Sequence, residues 1–317
     1  MIAVIQFTHP GGEHTLNREE KKTGVKEWNY GGHKRKFMLA NGSCVDNCGS
    51  VIENTDLLFW GEWEPTSTAQ PILKTIGVGV MPTLVHEPYL LLNQQGKAVA
   101  RYQISRIRKG ETKYYGRQNT DPFVFDDSFI YCCCKQRKRE KNSSQTYLTK
   151  IGQLDKGSII LFGSTISKNQ GGPYFVIDTV FVVGDSRIYT PRTYQNDLAG
   201  FIPQNYEEIM GFSNWNDPDN QFVCYKGATL SNQVNGMYSF APCMLHNGNQ
   251  INGFPRVRIN GSRIPGIITN NLFAAPKFTT QSDLYNTKSV WDEIVMQVEA
   301  QGFLKGISFK YAVKTQP

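Results

Sequence analysis

The sequence predicts a β-rich α+β protein with mixed or antiparallel sheets, or barrel-like halves. Few helices are expected, with a C-terminal helix followed by a strand. Three observations carry this expectation. Short apolar runs recur along the chain, whereas sustained helical periodicity occurs once. Gly (29) and Pro (15) are dispersed between those runs, as many short strands and turns require. Charged residues are 19% and aromatic residues 12% of 317, so the chain can bury a sizeable core.

The elements follow in order. Strands are expected at 2–7, 36–40, 56–63, 98–107, 128–134, 158–164 and 174–183. The last two form a hairpin, because Asn169, Gln170, Gly171 and Gly172 supply its turn. A short helix fits 205–210. A longer one fits 289–301, where Ser289 and Asp292 resemble a capping box. Val290, Trp291, Ile294, Val295 and Val298 make its apolar stripe, and Gly302 suits the position just past its end. A final strand is expected over 304–313. The polar run 135–147 either separates a half over 1–140 from one over 148–317 or is a long loop within one domain.

The apolar runs Ile159–Phe162 and Val180–Val183 are far shorter than the about 18 residues of a membrane-spanning helix. The first residues lack a basic leader, so a cytoplasmic protein is expected. The seven cysteines agree with this. Cys132, Cys133 and Cys134 are consecutive and would alternate between strand faces, which suits buried reduced thiols rather than a metal set. Cys44 and Cys48 lack the second ligand pair of a zinc site.

Charge is concentrated. The net charge is +7, and residues 101–150 hold twelve Lys/Arg against five Asp/Glu, so this segment carries the whole excess. A confined basic patch is the footprint of a polyanion partner. Its first part contains Arg106, Arg108, Lys109, Lys113, Tyr114, Tyr115 and Arg117. Cations neutralise phosphates while aromatic rings stack on bases, so the mixture suits unpaired nucleic acid. Its second part contains Lys135, Arg137, Lys138 and Arg139 in a run with no apolar residue, expected to be a solvated loop. His33, Lys34, Arg35 and Lys36 form another polyanion-suited run, and Arg256, Arg258 and Arg263 a further basic stretch.

Other candidates are local. Phe59, Gly61 and Trp63 would share one strand face, with Trp60 and Glu62 on the other. Gly61 would leave a slot for a flat base between large rings, and Glu62 or Glu64, on the face of Trp60, could accept from its edge. Asp121, Asp126 and Asp127 follow the basic stretch and could hold Mg2+ for phosphodiester chemistry. Glu13, His14 and His33 lie in Gly-rich segments and are acid–base candidates.

Lys156, Gly157 and Ser158 lead the run Ile159–Phe162, and a second apolar strand follows over 175–183. This pattern resembles the central strands of PUA-like barrels of the EVE and ASCH types. The resemblance covers 156–183 and implies a small barrel with a pocket for RNA or a modified base. It carries over no pocket residue.

The chain lacks a P-loop, a dinucleotide-binding glycine motif and a nucleophile elbow. The expected function is binding of nucleic acid, or of a nucleotide or modified base within it, over 101–141, with no cofactor. An enzyme acting on nucleotide or nucleic-acid phosphates, with Mg2+, is the alternative. A structural protein whose basic loop contacts an acidic partner is the second alternative.

Overall fold

The computed structural model describes residues 1–9, 13, 35–98, 120–142, 145–166, 172–212, 218–248, 250–264, 266–267 and 286–315. It describes the backbone alone of 25–26, 104–108, 111–113, 276–281 and 284–285.

The first strands are β1 (Ala3–His9), β2 (Val25–Lys26), β3 (Lys36–Val45), β4 (Val51–Gly61), β5 (Ser67–Pro71), β6 (Lys74–Thr75) and β7 (Leu84–Leu92). The middle of the chain adds β8 (Ile104–Arg108), β9 (Glu111–Lys113), β10 (Ile130–Tyr131), β11 (Arg137–Arg139) and β12 (Thr146–Leu148). A 3-10 turn at Lys150–Gln153 leads into β13 (Ile159–Ile166) and β14 (Tyr174–Tyr189). Helices α1 (Tyr194–Asp197) and α2 (Tyr206–Met210) precede β15 (Phe222–Gly227), β16 (Ala241–Leu245), β17 (Asn252–Gly253), β18 (Val257–Ile259) and β19 (Pro276–Gln281). Helix α3 (Leu284–Ala300), β20 (Leu304–Phe309) and β21 (Ala312–Thr315) complete the order.

Two large sheets organise these strands. The seven-stranded sheet has the order β10-β15-β14-β13-β1-β19, with β18 also on β14. The eight-stranded sheet has the order β2-β5-β7-β3-β20-β16-β4, with β21 on β7. Because β3 also pairs with β4, the path β3-β20-β16-β4 returns to its start. Both sheets draw strands from either side of 135–147. β1 lies between β13 and β19, and β16 and β20 complete the sheet of β3 and β4.

Alternation along the strands builds two cores. Ala3, Ile5 and Phe7 of β1 join one core with Leu57 and Phe59 of β4 and Ile160 and Phe162 of β13. Val4, Leu58, Trp60, Ile159 and Leu161 face the other. Buried Trp291, Ile294 and Val298 of α3 pack into that second core, as the apolar stripe requires.

The β13–β14 hairpin forms as expected. A Cβ on Gly163 would lie 2.0 Å from the Val176 carbonyl oxygen, so glycine alone permits the approach. The register shifts there, with Phe162 opposite Thr179 and Gly163 opposite Ile177. Asp178 is thereby the extra residue of a β-bulge, a device that re-aims a side chain.

Helix α3 starts five residues before Ser289, so the expected capping box lies inside it, where Lys288 pairs with Asp292 one turn on. Its end agrees with the sequence. Gly302 has φ of 80°, its N–H donates to the Glu299 carbonyl, and that of Phe303 donates to the Val298 carbonyl. This is a Schellman closure.

Candidate nucleic-acid interface

The second basic run is not a loop. Its residues form a two-stranded ribbon in which Arg137, Lys138 and Arg139 of β11 pair with Leu148, Tyr147 and Thr146 of β12. Two residues anchor the ribbon to β15 and the residue before it. Gln136 is fully buried, donates to the Val223 carbonyl at 2.7 Å and accepts from the Val223 N–H at 2.8 Å. Arg137 donates to the Gln221 carbonyl at 2.8 Å and to the Thr146 carbonyl at 2.6 Å. Its donors are engaged in holding the ribbon.

The remaining cations are presented outward. Lys135, Lys138, Arg139 and Lys141 are exposed. Tyr147 is 49% exposed and sits directly opposite Lys138. Cross-strand neighbours of this kind lie close enough to act as one surface. The pair provides a ring for stacking and an ammonium for phosphate. Sequence reading passed over Tyr147, although its place beyond the polar run was a usable signal.

The first basic run contributes a second ribbon, with Ile104 opposite Lys113 and Arg108 opposite Glu111. Among the described residues β8 and β9 pair with no other strand. Arg106 and Arg108 fall in β8, and Lys113 in β9. Lys109, Tyr114, Tyr115 and Arg117 lie outside the described residues, as do His14 and His33.

Several expected sites take a different form. Trp60, Glu62 and Trp63 are all buried, at 3, 2 and 1% exposure, so they offer no open slot for a base. Both faces of β4 carry a core, and Met38 fills the space beside Gly61, where a Cβ would lie 2.8 Å from its Cε. The Trp60 and Trp63 indoles donate to the carbonyls of Phe254 and Thr66.

The three aspartates do not converge. Asp121 is fully buried and accepts from the backbone N–H groups of Cys132, Cys133 and Cys134 at 2.8 to 3.0 Å. Burial raises its carboxyl, and those donors act against the rise. Asp126 and Asp127 are exposed turn residues with φ of 55° and 54°. Among the described residues, Asp121, Cys132 and Cys133 are the one group of three possible ligands lying within 4.8 Å of one another. Burial pushes the Cys132 thiol up to about 11 and the Cys133 thiol well above its usual range, which opposes the thiolate that a metal needs.

Glu13 is placed as a tie. Its carboxylate accepts from the N–H groups of Thr83 and Leu84 and from the Thr83 hydroxyl, at 2.8 to 3.0 Å. Arg35 and Lys36 are buried rather than offered to a polyanion. Lys36 Nζ lies 3.3 Å from the Pro65 carbonyl and from Ser67 Oγ.

Arg35 is the centre of an internal charge chain. It donates to Glu62 at 2.5 Å and to Asp178 at 2.7 Å. His9 Nδ1 lies 4.0 Å from Glu62. Arg256 Nη1 lies 4.0 Å from Asp178 and donates to Ser164 at 2.7 Å. The chain joins β1, β13, β14, the residue after β4 and the segments before β3 and β18. Burial opposes the charge on Arg35, but Asp178 and Glu62 outweigh it and hold the guanidinium above its ordinary range. The bulge in β14 is what brings Asp178 into this chain.

No protein-family model matches the chain, and no curated protein or solved structure shows significant similarity to it. These comparisons leave the resemblance of 156–183 to PUA-like barrels as an expectation from the sequence. Among the described residues no helix is long and apolar enough to cross a membrane.

Proposed function

We propose that this protein binds nucleic acid, or nucleotides within it, through two basic ribbons, and that it recognises unpaired bases. The observation carrying this reading is the exposed Lys138–Tyr147 pair, set among Lys135, Arg139 and Lys141 on a ribbon whose rear is pinned to β15. Cations on a rigid support bind phosphates without first being ordered, and a neighbouring ring accepts any base. The β8–β9 ribbon supplies Arg106, Arg108 and Lys113 to the same function. A cytoplasmic location belongs to this reading and is supported by the seven free cysteines.

The test is fluorescence anisotropy with labelled single-stranded DNA and RNA at two salt concentrations. Joint replacement of Lys135, Lys138 and Arg139 by Ala should lower the salt slope by about 2, given roughly 0.7 per phosphate contact on single strands. Tyr147→Ala should weaken binding by about fivefold or more, the low end of a stacked base. Replacing Arg106, Arg108, Lys109 and Lys113 together should weaken it further. Unchanged affinity in both cation variants would refute the proposal.

A further inference from the structure

A cleft that shares no lining residue with the ribbons combines features that neither core packing nor the ribbon surface requires. It consists of two adjoining cavities of about 560 and 580 Å3, within the size range of small-molecule sites. They meet at Tyr174, Arg258 and Gln301, which line both. The first cavity is largely apolar, walled by Phe254, Phe303, Met244 and the glycine-containing loop 76–80. The second is mixed, with Asn260, Ser262, Arg263 and Gln297 beside Ile259 and Ile267.

The charge of the lining is one-sided. Arg256, Arg258 and Arg263 line the cleft, and no Asp or Glu is among its described lining residues. Arg258 is exposed, and its guanidinium lies 4.4 Å from the centroid of the Tyr174 ring. Arg258 and Gln301 are tied by two backbone hydrogen bonds, from the Arg258 N–H to Oε1 and from Nε2 to the Arg258 carbonyl. The ring and this tie hold the residue at the junction without using its guanidinium N–H donors. Among the described residues no carboxylate forms an ion pair with Arg258, whereas Arg263 lies 3.7 Å from Glu293. Arg256 is buried at the back, 5.2 Å from the centroid of the Trp60 ring. Burial pulls its guanidinium down to about 10, which leaves it cationic at neutral pH.

We infer that this cleft binds a nucleoside phosphate, with the phosphate between Arg258, Arg263 and Ser262 and the base in the apolar cavity beside Phe254 and Phe303. A planar guanidinium fork suits a phosphate with two N–H donors. The adjoining apolar volume suits a flat ring and has no counterpart in a site for a bare anion. The inference stands apart from the ribbon proposal, since it uses none of the ribbon residues. The ligand is either a free nucleotide or the terminal nucleotide of a strand, and both present the same chemistry to the cleft.

The experiment is isothermal titration of the full chain with the four ribonucleoside monophosphates, their parent nucleosides, inorganic phosphate and 5′-phosphorylated dinucleotides. At least one monophosphate or dinucleotide should bind, with its nucleoside and inorganic phosphate each at least about tenfold weaker, the loss expected for one charge-assisted contact. Arg258→Ala, at an exposed position, should weaken that binding at least about tenfold, and Arg263→Ala by a smaller factor. The Lys135, Lys138 and Arg139 triple variant should bind the same ligand as wild type does. Tighter binding of the dinucleotide would assign the cleft to strand ends, and tighter binding of the monophosphate to free nucleotides. Absence of binding up to millimolar concentration, inorganic phosphate binding as tightly as nucleotide, or unchanged affinity in Arg258→Ala would overturn the inference. Loss of nucleotide binding in the triple variant would move the site to the ribbon and overturn it as well.

Discussion

Replacing Arg35 with Met probes the internal charge chain directly. Arg35 is fully buried, and the change removes its bonds to Glu62 and Asp178 while leaving both carboxylates buried. Breaking a buried ion pair on one side costs about 3–5 kcal/mol, because the charge left behind loses both its partner and any access to water. Arg256 at 4.0 Å shields Asp178 in part, so the lower half of that range is expected. With an unfolding entropy of about 2.1 cal/mol/K per residue, 317 residues give about 0.67 kcal/mol/K, so Tm should fall by about 4–6 °C. Differential scanning fluorimetry measures this, and the shift should be nearly independent of salt because the pair is buried. Adding Glu62→Gln and Asp178→Asn to the same chain should return part of the loss, since neutral amides cost less to bury than lone carboxylates. A Tm within 2 °C of wild type for Arg35→Met, or a triple variant less stable than the single one, would refute this account.

Asp121→Asn should destabilise by about 2–4 kcal/mol, read by urea unfolding, because an amide cannot accept from all three N–H groups of Cys132, Cys133 and Cys134 and leaves buried donors unmet. Brief alkylation of the native protein should modify Cys48, the exposed cysteine, before any of the other six, and mass mapping after Cys48→Ser should show that fast site gone. Glu13 gives a pH signature. Burial raises its folded carboxyl above the ordinary 4.5, so its contribution to stability is present below 4.5 and is lost as pH rises through the raised value. The Tm of Glu13→Gln relative to wild type should therefore increase with pH across that window, on top of a constant loss from the weakened tie to Thr83 and Leu84, and a flat difference would contradict it.

Legibility in the sequence followed one rule. Elements whose residues act locally could be read, as with the hairpin expected over 158–164 and 174–183 and the closure of α3 at Gly302. Residues whose role depends on what lies across the fold could not. Trp60 and Trp63 gave the same alternation whether β4 bordered a slot or two cores. Gln136 sat in a run of charges, and nothing local marked it as buried. Asp178, the one charged residue from Phe175 to Val183, was the one internal signal that the strand carries a bulge and a distant cation. Arg35 and Lys36 read as surface because their carboxylate and carbonyl partners come from elsewhere in the chain. The basic excess over 101–150 was legible as a feature, while Tyr147, which gives the ribbon its aromatic surface, came into view once β12 was paired with β11.

The position of β1 sets a timetable. Val4 pairs with Ile159 on one side and Thr280 on the other. During synthesis β1 is complete long before either partner exists, and its seven buried residues have no ladder to join. Contacts so distant along the chain close slowly, whereas the β13–β14 hairpin closes over a short loop. The seven-stranded sheet is therefore expected to grow outward from that hairpin and to seat β1, made well before both its partners, near the end, so the nascent chain must be kept from pairing β1 with a neighbour until that late step.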